Sequence, residues 1–510
     1  MEVQQARSPR VATGVAGLDA ILGGGLPRDR LYLIQGDPGV GKTTLALQFL
    51  LEGKRLGESC LYVTLGETRE ELVDVAASHD WSLDGIDIFE ISTGQNDDVG
   101  LHGEDESYDV FHPSEIELGE VMRTLIDEAE RVNPKRVVID SLSELRLLAR
   151  DPLRFRRQML ALKHFFVGRG ATVLLLDAIS AEKIGDLQSN TLVHGVILLE
   201  QVVPAFGSKR RRLNVAKLRG VRFDDGYHDY KIETGGLRVF PRLVASAHAN
   251  GKPKETASSG LPELDALLGG GITRGSSTIL MGPAGAGKSS IAGQFVAAAA
   301  ARGEVAAVYT FDESASTFCA RSDGIGLGMS EKVSAGGVKV VQVDPGELAP
   351  FEFAQLVRNS VERDGARFVV IDSLNGYMNA TPDERFLVVQ LHELLTYLGN
   401  KGVCTLLIVA QTGMLGPTMQ NPVDASYLAD SVVLFRYFEH SGQILKAISV
   451  VKKRTGPHEA TIREFGVANG RVRVGAPLKD FRGVMTGVPL YQGKGSSLLG
   501  EDDEARSRST

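Results

Sequence analysis

The 510-residue chain has few cysteines, no long apolar run and no surplus of positive charge. Its three cysteines, Cys60, Cys319 and Cys404, are widely spaced. They form neither a zinc-binding pattern nor a disulfide framework. Each is expected to be a small buried apolar residue in a reducing compartment. No run of 18 apolar residues is present, so no membrane span is expected. The segment Met1–Arg10 is polar and lacks the apolar core of a secretory signal, so a cytoplasmic location is expected. Acidic residues outnumber basic ones, 64 to 56, for a net charge of −8 and a pI near 5.8. That balance argues against a nucleic-acid binder that works by neutralising phosphates. The basic run Lys209–Arg212 has no interleaved aromatic residues and reads as a solvated hairpin tip, so nucleic acid is not an expected partner.

What is present is a phosphate-binding loop, Gly36-Asp-Pro-Gly-Val-Gly-Lys-Thr43, followed by Thr44. It matches G-x-x-x-x-G-K-[ST] at every fixed position, with Gly36, Gly39 and Gly41 as its glycines. An apolar strand, Arg30–Gln35, precedes it and a helix-forming stretch, Thr44–Leu51, follows. That is the context in which glycines let backbone N–H groups wrap a phosphate chain. Lys42 then supplies a cation at the outer phosphates, and the Thr43 hydroxyl can ligate Mg²⁺. A second copy, Gly282-Pro-Ala-Gly-Ala-Gly-Lys-Ser289 with Ser290 behind it, places Gly285, Gly287 and Lys288 in the same roles, and Ser289 on the metal. Lys42 and Lys288 stand 246 residues apart, as do Gly14 and Gly260. The lead-in Thr13–Gly25 mirrors Ser259–Gly271. A match of this length is a duplicated domain.

The expected fold class is α/β: two tandem RecA-like P-loop NTPase domains, each a mainly parallel twisted sheet flanked by helices. Residues 1–10 read as a flexible arm, 11–243 as the first domain, 244–258 as a linker, 259–490 as the second domain and 491–510 as a disordered tail. The polar, acidic stretch Gln95–Glu117 reads as a loop, and Thr68 as a helix cap with Glu71 in capping-box register. Arg136–Asp140 and Arg367–Asp372 are apolar strands that end in aspartate. In P-loop proteins such an aspartate orders water on Mg²⁺, which makes Asp140 and Asp372 metal-site candidates alongside Thr43 and Ser289. The strand after each P-loop helix also ends in carboxylates, Glu67 in the first copy and Asp312-Glu313 in the second. A carboxylate there can orient or deprotonate an attacking water or hydroxyl. Lys217-Leu218-Arg219 and Lys452-Lys453-Arg454 recur late in each copy, far along the domain from the P-loops. Such basic groups often complete a phosphate site from a neighbouring subunit.

Taken together, these residues resemble the KaiC family over roughly residues 11 to 490. The resemblance rests on the doubled P-loop domain, the Gly-Leu-Asp-x-x-Leu-Gly-Gly-Gly type lead-in, Ile371-Asp-Ser-Leu374 and the run Val451–Phe465. It implies ATP and Mg²⁺ as cofactors and a homohexamer of two stacked rings with ATP between subunits. It further implies slow hydrolysis in the first ring, and autokinase with autophosphatase in the second. On that pattern Lys217 and Arg219 match cross-subunit nucleotide contacts of the first ring, and Lys452, Arg454 and His458 those of the second. The family's Ser-Thr phosphoacceptor pair falls on Ser426 and Tyr427, so single-site phosphorylation on Ser426 is expected, with Tyr427 packed or at an interface. The family's paired glutamates are Gly66-Glu67 and Asp312-Glu313 here, which should slow hydrolysis in the first ring. The resemblance implies a thioredoxin-like KaiB-type partner, docking around residues 95–117, or a signalling kinase or response regulator.

Three functions follow for test: an ATP-hydrolysing, self-phosphorylating hexamer in a timing or signalling system; an ATP-gated scaffold with little catalysis; and a RecA-like DNA-dependent ATPase. The net charge and the two fused copies speak against the third.

Overall fold

The computed structural model describes residues 9–91, 118–149, 151–178, 190–203, 207–245, 255–379, 384–411, 427–468, 470–484 and 489–492. The chain forms two compact units, Met1–Arg242 and Leu243–Thr510. In the first, strands β1 (Leu31–Gly36), β2 (Cys60–Thr64), β3 (Asp87–Glu90), β4 (Arg136–Asp140), β5 (Thr172–Asp177), β6 (Gly195–Val202), β7 (Arg210–Leu218), β8 (Tyr227–Glu233) and β9 (Gly236–Phe240) build one sheet. Their order is β9-β8-β7-β6-β1-β5-β4-β2-β3. From β6 to β3 all pairings are parallel, and β7, β8 and β9 add antiparallel strands at one side. In the second unit β10 (Ser277–Gly282), β11 (Val305–Thr310), β12 (Val338–Gln342), β13 (Ala366–Asp372), β14 (Cys404–Ala410), β15 (Ser431–His440), β16 (Gln443–Lys453), β17 (Arg463–Ala468) and β18 (Arg471–Pro477) repeat that order strand for strand. The two tandem α/β domains are therefore present, with the P-loop strand at the centre of each mostly parallel sheet.

The near-continuous apolar runs of the central strands have a physical reason: both sheet faces are covered by helices. Along β1, Tyr32 and Ile34 join one core cluster while Leu31 and Leu33 join the other, as the two-residue pleat requires. Helix α1 (Lys42–Arg55) covers the first face through Leu45, Phe49 and Leu50. Helices α3 (Leu118–Val132) and α4 (Pro152–Gly168) cover the second through Leu125, Met159 and Leu162. Between α1 and α3 in sequence lies α2 (Arg69–Ala77), which opens with the Thr68–Glu71 capping box. The second unit repeats the arrangement, with α5 (Lys288–Ala301) on one face and α7 (Pro350–Glu362) and α8 (Glu384–Asn400) on the other. Its α6 (Ala315–Gly324) corresponds to α2.

One local expectation is corrected. Arg210, Arg211 and Arg212 are not a hairpin tip but ladder residues of β7, opposite Val202, Gln201 and Glu200 on β6. Arg212 reaches Glu200 at 3.4 Å and lies over the Tyr227 ring at 4.5 Å. All three arginines are half-buried, and burial lowers the Arg210 pKa, with Asp229 opposing. The Gln95–Glu117 stretch, the first eight residues and residues 493–510 lie outside the described residues. Within 244–258, Ala245 packs into the second unit's core and Thr256–Ala257 pairs with Ile272–Thr273.

Candidate nucleotide sites

Each P-loop is shaped by sterics that admit only glycine. Gly41 stands at φ 93° ahead of α1, and a Cβ there would lie 2.7 Å from Ile232 Cδ1. Gly287 stands at φ 99°, and a Cβ there would lie 2.4 Å from the Phe465 ring. The helix that follows each loop has no side-chain N-cap. Its first N–H groups thus form the donor set that suits an anion. Lys42 Nζ donates to the Gly36 and Asp37 carbonyls at 2.7 and 3.0 Å. Lys288 Nζ donates to Gly282 and Pro283 at 2.9 and 2.7 Å. Lys288 is only 6% exposed, and burial pushes its pKa down to about 8, with Asp372 opposing. Lys42 is also lowered by burial, but Asp140, Asp177, Asp37 and Glu67 all resist the shift. An ammonium, buried at Lys288 and half-buried at Lys42, beside uncapped helix N–H groups fits a polyphosphate in both units.

The strand-end aspartates stand where the loop hydroxyls can reach them. Thr43 Oγ1 lies 3.5 Å from Asp140 Oδ2, and the Ser289 hydroxyl stands close enough to Asp372 to favour its charged form. Burial raises both aspartate pKa values. The residues fit Mg²⁺ held through a hydroxyl, a carboxylate and phosphate oxygens. Thr44 is buried behind the loop and Ser290 is half-buried.

The three candidate acids differ in their surroundings. Glu67 reaches solvent, yet the protein crowded around its carboxyl raises its pKa, with Asp140 and Glu71 adding and Lys42 opposing. Asp312 accepts from the Ser373 hydroxyl. Glu313 is held by Arg321, whose Nη2 and Nε lie 2.6 and 3.4 Å from its two oxygens. Gly66 has open space on its side-chain side.

The late basic residues lie at the other end of the sheet from the P-loop of their own unit. Lys217 and Leu218 pair with Val196 and Gly195 at the start of β6, while Gly36 is level with Leu199. At about 3.3 Å per residue, Lys217 is roughly 10 Å down the strands and two strands across from the loop. Lys452 sits likewise opposite Val432, level with Ile279. Lys217 Nζ donates to the Asn190 and Val193 carbonyls, and Lys452 Nζ to Ala429 at 2.8 Å. Lys453 Nζ bonds the Leu268 and Gly271 carbonyls. Arg219 and Arg454 are exposed, His458 is half-buried, and the Leu218 side chain packs in the core. Tyr427 is 52% exposed rather than packed, and Ser426 lies outside the described residues.

Four residues around these sites escaped the sequence reading. Tyr62, fully buried on β2, donates its hydroxyl to Asp140 Oδ2 at 2.7 Å, where the second unit has Val308. Tyr437 and Lys446 donate to the second P-loop at Ala284 and Gly285, at 3.1 and 2.8 Å. In the first unit those positions are Gln201 and Arg211. Arg321 answers to Val75. All four positions differ between the copies, so the internal repeat does not mark them.

Among the described residues no helix is long and apolar enough to cross a membrane. A family model described as "ATPase: KaiC" matches residues 11–244 and again 257–479. Similar curated proteins include the circadian clock protein KaiC3 of Synechocystis sp., 25% identical over 97% of this chain and 98% of its own length. The circadian clock oscillator protein KaiC of Parathermosynechococcus lividus is 24% identical over 94% of this chain and 88% of its own. That of Synechococcus elongatus is 24% identical over 94% and 92%. Two P-loop domains of one topology, matched twice by the same family model, make this chain a member of the KaiC ATPase family.

Proposed function

We propose that this chain is a self-phosphorylating ATPase, acting as a homohexameric double ring in a timing or signalling system. The observation that carries the reading is the repeated site: uncapped helix N–H groups, a loop lysine, and a loop hydroxyl beside a strand-end carboxylate. Mg²⁺, when bound with ATP, neutralises charge on the phosphates; Thr43 with Asp140, and Ser289 with Asp372, would hold it. The loop glycines and Lys42 or Lys288 bind and orient the phosphate chain. Glu67 accepts the proton of the attacking water in the first unit, and its raised pKa supports that role. Asp312 and Glu313 serve the second unit, whose acceptor is the Ser426 hydroxyl. The distance of Lys217, Arg219, Lys452 and Arg454 from their own P-loops supports their delivery to a neighbouring subunit's nucleotide.

The test is incubation of the purified chain with γ-labelled ATP and Mg²⁺, followed by mass-spectrometric mapping. Phosphate on Ser426 that disappears in Lys288→Ala is the expected result. Hydrolysis without protein-bound phosphate would favour the scaffold reading, which the missing acid at Gly66 also favours. Subunit sharing is tested by mixing: a Lys452→Ala chain should restore activity to a Lys288→Ala chain only where sites are shared.

A further inference from the structure

The two candidate bases, Glu67 and Glu313, occupy equivalent positions but have different neighbours. Glu313 stands just ahead of α6, and Arg321 lies in the last turn of that helix. Helical side chains lean toward the helix N-terminus, so an extended arginine two turns along can reach back to the residue before the cap. It does so with two nitrogens on two carboxylate oxygens. Both partners are partly shielded, at 32% and 21% side-chain exposure. Asp312 beside it is engaged by Ser373, which is buried and anchored to the Gly376 N–H at 3.2 Å. In the first unit the residue equivalent to Arg321 is Val75, and Glu67 has Lys42 as its opposing charge.

We infer that Arg321 is a positioning residue that restrains hydrolysis at the second site by holding Glu313 away from water. The inference rests on the reading of Glu313 as that site's base. In hydrolysis the water oxygen forms a bond to the γ-phosphorus of ATP. The bond from that phosphorus to the β-bridging oxygen breaks, and its electron pair leaves with ADP. The proton lost by the water passes to a Glu313 oxygen, and that oxygen must first release Arg321. Bound ATP then lasts longer at this site than at the first, which leaves it available for transfer to a protein hydroxyl. The difference between Val75 and Arg321 thus helps to divide the chemistry of the copies.

The test uses the full chain carrying Glu67→Gln, which removes the first unit's base, so that the remaining hydrolysis reports the second site. Adding Arg321→Gln should raise the remaining kcat about two- to fivefold, the factor expected for a partly exposed ion pair. KM should stay unchanged, and Arg321→Lys should fall between, since one ammonium cannot bond both oxygens in a fork. In nucleotide-free protein, carbodiimide-driven coupling of an amine to Glu313, mapped by mass spectrometry, should rise in Arg321→Gln. An unchanged or lower kcat with fluorescent-ATP binding intact, or unchanged labelling of Glu313, overturns the role of Arg321. If Glu313→Gln leaves the remaining hydrolysis unaffected, the reading of Glu313 as base fails instead.

Discussion

Arg136 offers a sharp test of how the first unit is held together, because the second unit solves the same problem from another position. Its guanidinium is 1% exposed, bonds Glu58 at 2.6 Å, donates to the Ala12 and Phe49 carbonyls at 2.7 and 2.8 Å, and lies over the Phe49 ring. The equivalent of Arg136 in the second unit is Phe368, and there Arg302 supplies the guanidinium. It bonds Glu304 at 3.2 Å and the Ser258 carbonyl at 2.8 Å, the counterparts of Glu58 and Ala12. Arg302 corresponds to Leu56, which is exposed. Breaking a buried ion pair costs about 3–5 kcal/mol. Glu58 keeps Arg28 at 3.1 Å and some solvent, so the lower end applies to Arg136→Phe, about 3 kcal/mol. With a urea slope near the upper end of the usual range, about 3 kcal/mol/M, the midpoint should fall by about 1 M. Trp81, the single tryptophan of the chain, lies in the first unit and reports its unfolding by fluorescence. Adding Leu56→Arg to Arg136→Phe should recover at least about 1 kcal/mol, although Leu56→Arg alone should do little. A coupling energy near zero in that cycle would refute the claim that the two arginines are interchangeable sources of one guanidinium.

Lys288 gives a pH prediction. Its pKa is pushed down to about 8, so above that pH the nucleotide-free site loses its cation, and a bound polyphosphate must draw a proton back. ATP affinity at the second site of a Lys42→Ala chain should therefore fall about tenfold per pH unit above 8, with proton uptake visible by calorimetry in buffers of different ionisation enthalpy. Tyr62→Phe keeps the packing but removes a hydrogen bond that lowers the Asp140 pKa, so the acid limb of first-site hydrolysis should move to higher pH. A Gly66→Glu chain restores a paired acid where there is room for one, and faster first-site hydrolysis is expected in single-turnover assays. Thr68→Ala removes the capping box of α2 and should cost the first unit about 1 kcal/mol in the same urea assay.

Much of this protein was legible in its residues because the duplication let one copy check the other. The P-loops, the strand-end aspartates and the capping box depend on local chemistry: glycine freedom, apolar runs and a hydroxyl three residues ahead of a glutamate. Those signals lie within a few residues of one another, so sequence alone determined them, and with them the tandem α/β class. The sheet order and the level of Lys217 relative to Gly36 depend on the pairing of β1 with β6, more than 150 residues further along, and on the register of β6 with β7. The placement of Arg210–Arg212 was misread because charge run together in sequence resembles a tip. Only pairing on both sides, with β6 and β8, shows a strand. Tertiary structure alone also decided which residues attend each site. Tyr62 meets Asp140 from a neighbouring strand, Tyr437 and Lys446 reach the loop from a hairpin, and Arg321 turns back along its helix. Each acts through a distance of a few ångströms that no spacing in the chain encodes.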